Sequence, residues 1–174
     1  MQRRLWLTLM AATTAAMASG CGFELRKAPN FPFKTLFSPF SEGSTLGTEL
    51  RRSLESGGNV RVITDSRLID QADVILDVLN DVREKVVLSR NAAGLVREFQ
   101  LRIRFSFRLR TPGGRELIPS SEIVQQRDIS FNESAALAKE SEEALLYREM
   151  QSDIVQQIMR RLAAVTDLQG SPRP

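Results

Sequence analysis

A lone thiol and a file of arginines are the residues here whose type and spacing point to chemistry. Cys21, the sole cysteine, directly follows Ala18-Ser19-Gly20. Small residues in front of a single cysteine are what a lipoprotein signal peptidase requires. The chemistry that follows is acylation, which leaves a covalent diacylglyceryl and N-acyl lipid on Cys21 as the first mature residue. The upstream residues agree: Arg3 and Arg4 precede an apolar run from Leu5 to Met17, the pattern of a secretory leader. That run is too short and too soon interrupted for a transmembrane helix. The alternative is an ordinary leader with Cys21 as a free thiol, but an unpaired thiol is awkward to export. Gly22 stands where an aspartate would retain a lipoprotein in the inner membrane, so the expected destination is the outer membrane, on its periplasmic side.

The arginines stand in "REFQLRIRFSFRLRTPGG", Arg97 to Gly114. Phe99, Leu101, Ile103, Phe105, Phe107 and Leu109 share one parity. Arg102, Arg104, Arg108 and Arg110 share the other, with Gln100 and Ser106. A period of two predicts a strand with one apolar and one cationic face. From Glu98 to Arg110 it would run roughly 44 Å at about 3.4 Å per residue. Two readings of the cationic face stay open. It is a wet sheet face whose arginines pair with Asp77, Asp81, Glu122 or Asp128 on neighbouring strands, or it is a partner-facing stripe for an acidic protein or phosphorylated glycolipid.

The remaining chemistry is defined by what is missing. There are no histidines, which removes Ser-His-Asp and Cys-His catalysis and any ordinary zinc site. No glycine cluster has phosphate-loop spacing, so the expectation is a protein that is not an enzyme and holds no metal. The sequence pI of about 9.5 is misleading: without Arg3 and Arg4 the chain carries 22 basic and 21 acidic side chains. Charge is patterned locally, and nucleic acid is not an expected partner.

Residues 1–20 are the leader, 21–32 a lipidated tether containing Pro29 and Pro32, 33–167 a single domain and 168–174 a disordered tail. Within the domain, Lys34 to Phe37 is a short strand. A helix follows, capped by Ser44 or Thr45, stopped at Gly57-Gly58 and carrying Leu46, Leu50 and Leu54 inward. "NVRVIT" is a second strand, parallel to the first. Asp73 to Arg90 is a long third strand with Val74, Leu76, Val78, Val82, Val86 and Leu88 on one face and a bulge expected between Asp81 and Lys85. The turn Asn91–Gly94 leads to the arginine strand. The turn Thr111–Arg115 leads to a fifth strand, Leu117 to Phe131, with Ile123, Ile129 and Phe131 inward. Asn132 or Ser134 then caps a helix running to about Val165, about 48 Å long at about 1.5 Å per residue, with Leu146, Met150, Ile154, Ile158 and Leu162 as its apolar stripe. The predicted class is α+β: a two-layer sandwich in which a short and a long helix cover one face of a mixed, mostly antiparallel sheet.

Three stretches together resemble one family. "GCGFELR" (Gly20 to Arg26), "SRNAAGLVREFQL" (Ser89 to Leu101) and "ALAKESEEALLYREMQSDIVQQIMRRL" (Ala136 to Leu162) are similar to the lipopolysaccharide-assembly lipoprotein LptE, also called rare lipoprotein B. The resemblance implies two helices on a mixed sheet. It also implies an outer-membrane lipoprotein that sits in the lumen of the large β-barrel LptD, helps that barrel assemble, plugs it, and binds lipopolysaccharide on its way to the cell surface. Two family positions for lipopolysaccharide binding fall on Arg90 and Lys139. The topology separately predicts that they share one tip: the fifth strand ends beside the start of the fourth, so the long helix begins near the Asn91–Gly94 turn. There, arginine would offer phosphate a bidentate fork and lysine a point charge. The plainer reading of Lys139 is a solvated residue paired with Glu142 or Glu143. The rival to the whole reading is a periplasm-facing lipoprotein that binds an acidic envelope polymer through its arginine stripe, independent of any barrel.

Overall fold

The computed structural model describes residues 29–40, 43–58, 60–166 and 168; Cys21 and the leader lie outside them. The element order is β1 (Thr35–Phe37), α1 (Thr45–Gly58), β2 (Arg61–Ile63), a 3₁₀ turn (Ser66–Gln71), β3 (Val74–Arg90), β4 (Val96–Arg110), β5 (Glu116–Ser130) and α2 (Ala136–Ala163). The sheet is open, in the order β2-β1-β3-β4-β5. β1 pairs in parallel with β2 and β3, whereas β3, β4 and β5 form two long antiparallel hairpins. Both helices pack on one face, giving the predicted α+β sandwich.

The layers meet where alternation and helical periodicity place apolar side chains. Leu101, Ile103, Phe105, Phe107 and Leu109 of β4 are buried against Met150, Ile154, Ile158 and Leu162 of α2 and Leu46, Leu50 and Leu54 of α1. Burial of each such side chain contributes about 1.5–3 kcal/mol, so this interface is the main source of stability. The core also takes in Phe31, inside the segment expected to be tether, stacked 5.4 Å from the equally buried Phe33. Ser44 caps α1 through its Oγ, which accepts from the Gly47 N–H at 2.9 Å. Asn132 caps a short 3₁₀ turn, Glu133–Ala135, that leads into α2.

β3 departs from its predicted pattern. The register slips between Val78 and Asn80, so the bulge falls at Leu79 and not between Asp81 and Lys85. A slip of one residue reverses the facing of everything after it. Asp81, Arg83 and Lys85 stand opposite Phe105, Ile103 and Leu101 on the helix side, while Val82, Glu84 and Val86 stand opposite Arg104, Arg102 and Gln100 on the other. Val82 and Val86, expected inside, are therefore exposed; Leu88, also expected inside, is exposed at a second register shift, between Val87 and Ser89.

The charged residues turned toward the helices form a polar layer. Arg83 donates to the Gln151 Oε1 and, at 2.5 Å, to the Thr45 hydroxyl. Gln151 also accepts from Thr45 at 2.7 Å and donates to Glu49 at 2.5 Å. Lys85 pairs with Glu143 at 2.6 Å, and the Tyr147 hydroxyl donates to the Glu84 carbonyl at 2.8 Å. β3, α1 and α2 are thus fixed by directional bonds where their apolar contact gives out.

Candidate functional site

The tip that holds Arg90 is built by the β3–β4 turn. The Asn91 Oδ1 accepts from the N–H groups of Ala93 and Leu95, at 3.0 and 2.9 Å, and Gly94 adopts φ +80. That conformation costs a residue bearing a Cβ about 1–2 kcal/mol and glycine almost nothing. Arg90 is exposed and donates through Nη1 to the Gly94 carbonyl at 3.0 Å, which lays its guanidinium along the turn.

Lys139 reaches the same end of the sheet by another route. Phe131 donates to the Arg97 carbonyl at 2.7 Å, and Ser130 stands opposite Glu98, close to the Arg90–Val96 pair. α2 begins a few residues later. The Lys139 Nζ donates to the Ser130 Oγ at 3.0 Å and to the Glu142 carboxylate at 2.8 Å. The Glu142 contact is an exposed i,i+3 pair and holds the lysine weakly. Glu143, its other expected partner, pairs with Lys85. The two candidate cations share an end of the domain, as the topology predicts, but no hydrogen bond or ion pair joins them among the described residues.

Beneath Lys139 lies a cavity of about 260 Å³ lined by Phe99, Ile129, Phe131, Ala136 and the stem of Lys85, among others. Phe99 and Phe131 meet edge to face at 5.3 Å, and the Lys85 ammonium stands 4.4 Å from the Phe99 ring centre. Sequence reasoning missed Lys85, because its inward facing follows only from the bulge at Leu79. Glu140 and Glu143 line the same cavity, so carboxylates stand beside its two lysines. The described residues contain no cluster of acidic side chains able to hold a metal ion.

The arginine stripe lies on the opposite, helix-free face and is largely occupied. Asp77 accepts from Arg108 at 2.7 Å and Arg110 at 2.8 Å. Glu84 faces Arg104 at 3.2 Å and Arg102 at 3.8 Å, and Arg102 also donates to Gln100 at 2.6 Å. Burial raises the Asp77 pKa, but the hydrogen bonds and charges of Arg110 and Arg108 outweigh it and hold the carboxyl below the usual range. Of the expected partners only Asp77 serves. Asp81 faces the helices and accepts from Ser44, and Asp128 accepts from Gln100. Glu84 takes the open place because the bulge turned it outward.

A family model for lipopolysaccharide assembly, LptE, matches residues 33–162, which include both tip cations and the whole stripe. The LPS-assembly lipoprotein LptE of Yersinia pestis is 29% identical over 162 residues, covering 91% of this chain and 76% of that one. The solution structure of lipoprotein B from Nitrosomonas europaea superposes with a TM-score of 0.69 at 34% identity, over 82% of this chain and 91% of that one. The crystal structure of rare lipoprotein B from Shewanella oneidensis gives 0.61 at 26% identity, over 75% and 94%. On the match across residues 33–162 and this shared fold, the chain belongs to the LptE family of lipopolysaccharide-assembly lipoproteins.

Proposed function

We propose that this protein is a lipid-anchored, non-catalytic assembly factor of the outer membrane that binds lipopolysaccharide at the Arg90–Lys139 tip and occupies the lumen of an LptD-type β-barrel. The observation that carries the reading is the family match over residues 33–162, within which strand β3 and helix α2 bring a cation each to one end of the domain. Lipid A phosphates would meet Arg90 and Lys139, which is attraction of a charge-assisted kind. The paired arginines of the stripe would face the polar inner wall of a barrel. Acyl chains on Cys21 would hold the molecule to the periplasmic leaflet, each buried methylene contributing about 0.8 kcal/mol.

The test is a mild-detergent pull-down of the tagged, lipidated protein, with bound partners identified by mass, alongside lipopolysaccharide binding by wild type and by Arg90→Glu/Lys139→Glu. The expected result is a stoichiometric large β-barrel with both proteins, and at least tenfold weaker lipopolysaccharide binding by the double variant. A protein that comes down alone or with cell-wall fragments overturns the barrel assignment. Wild-type lipopolysaccharide binding by the double variant overturns the tip.

A further inference from the structure

At the pole opposite the tip, the last turns of α1 and α2 leave a groove of about 670 Å³ between them. Its walls are Ser53 and Ser56 of α1, Val155, Met159 and Ala163 of α2, and Pro29. We propose that residues 22–28, the segment between the acylated cysteine and Pro29, dock in this groove, so that the anchor leaves the domain from a fixed seat.

Three observations select this occupant. The first is continuity: Pro29 is itself part of the wall, so the residues before it are delivered there at high effective concentration. From Val155 to Ala163 the groove runs about 12 Å along α2, which four extended residues cover at about 3.4 Å each. The second is pattern. Phe23 and Leu25 stand two apart, so an extended segment turns both toward the same wall. The third is charge. Both helices end here, and α1 has no basic residue in its last turn. Arg26 and Lys27 of the segment would bring positive charge to the carbonyl end of α1, whereas α2 already ends in Arg160 and Arg161.

This seat is independent of the lipopolysaccharide reading. The test is site-directed disulfide formation in the full-length chain, with Leu25→Cys paired either with Ala163→Cys in the groove or with Leu137→Cys, which is 81% exposed as wild-type Leu137 and lies at the other end of α2. In the lipidated protein the Cys21 sulfur is held as a thioether, so only the two introduced thiols can pair. The groove pair is expected to close at least tenfold faster than the distant pair, and Met159→Glu is expected to abolish that advantage. Equal rates for the two pairs, or a rate unmoved by Met159→Glu, overturn the proposal. So does photo-crosslinking of the groove to an acyl chain or another protein in place of the segment.

Discussion

Asp77 shows what a single carboxylate contributes when two cations share it. Its pKa lies below the ordinary value, so the folded state binds the carboxylate form preferentially. For a carboxyl depressed on folding, the stabilisation is present above the unfolded pKa of about 3.9 and is lost as pH falls through the folded value. Arg108 and Arg110 are partly exposed, which screens the pairs. Asp77→Asn is therefore expected to cost about 1 kcal/mol at pH 7, and urea titrations of the two proteins should start to draw together as pH falls below about 4 and meet only below the depressed folded value. A constant difference from pH 7 to pH 3 would show that shape, and not charge, is what the variant lost. Gln151 is a different case. It is 7% exposed and serves Thr45, Glu49 and Arg83 at once, so truncation removes several hydrogen bonds together. Gln151→Ala is expected to destabilise by about 2–3 kcal/mol, read as a lowered urea midpoint at unchanged slope.

At the scale of elements, legibility followed regularity. β4 and α2 have an unbroken period, so their faces and the burial of Phe105, Met150 and Ile154 could be read directly. β3 could not, because nothing in the composition around Leu79 distinguishes a bulged residue from its neighbours, and Val82 and Val86 looked like core. That one slip also hid Lys85 and the Arg83–Gln151 bond. Arg90 and Lys139 were found by resemblance, while topology explains only why they share one end of the domain. Deleting Leu79 leaves a regular strand in which Asn80 still faces Ser106 and Asp81 still faces Phe105, so the variant should fold. Inserting an alanine between Val82 and Arg83 turns Arg83 and Lys85 away from the helices. It is expected to lose about 2–4 kcal/mol, a fall in Tm on the order of 10 °C. Thermal unfolding by circular dichroism checks both, and an unfolded Leu79 deletion would sink the idea.

The whole molecule is organised along α2, about 42 Å for its 28 residues. The start of that helix stands with Lys139 and Arg90 beside the β3–β4 turn. Its end stands with Pro29 and the β4–β5 turn, where Arg115 donates to the Leu168 carbonyl and Arg161 lies 6.0 Å from the Phe107 ring centre. Attachment and ligand capture would then occupy opposite poles joined by a rigid core, and they should fail separately. Cys21→Ala is expected to leave lipopolysaccharide binding by the purified protein within about twofold of wild type, since it alters no charge and Pro29, where the tether meets the domain, stands at the pole opposite the tip. Arg90→Glu/Lys139→Glu should do the reverse and stay in the membrane fraction. The informative result is the fate of Cys21→Ala in washed membranes. Release by salt means that the acyl chains carry the attachment. Retention means that a second contact holds the domain, and the paired arginine face, with Val82, Val86 and Val124 exposed among its charges, is then the surface to mutate.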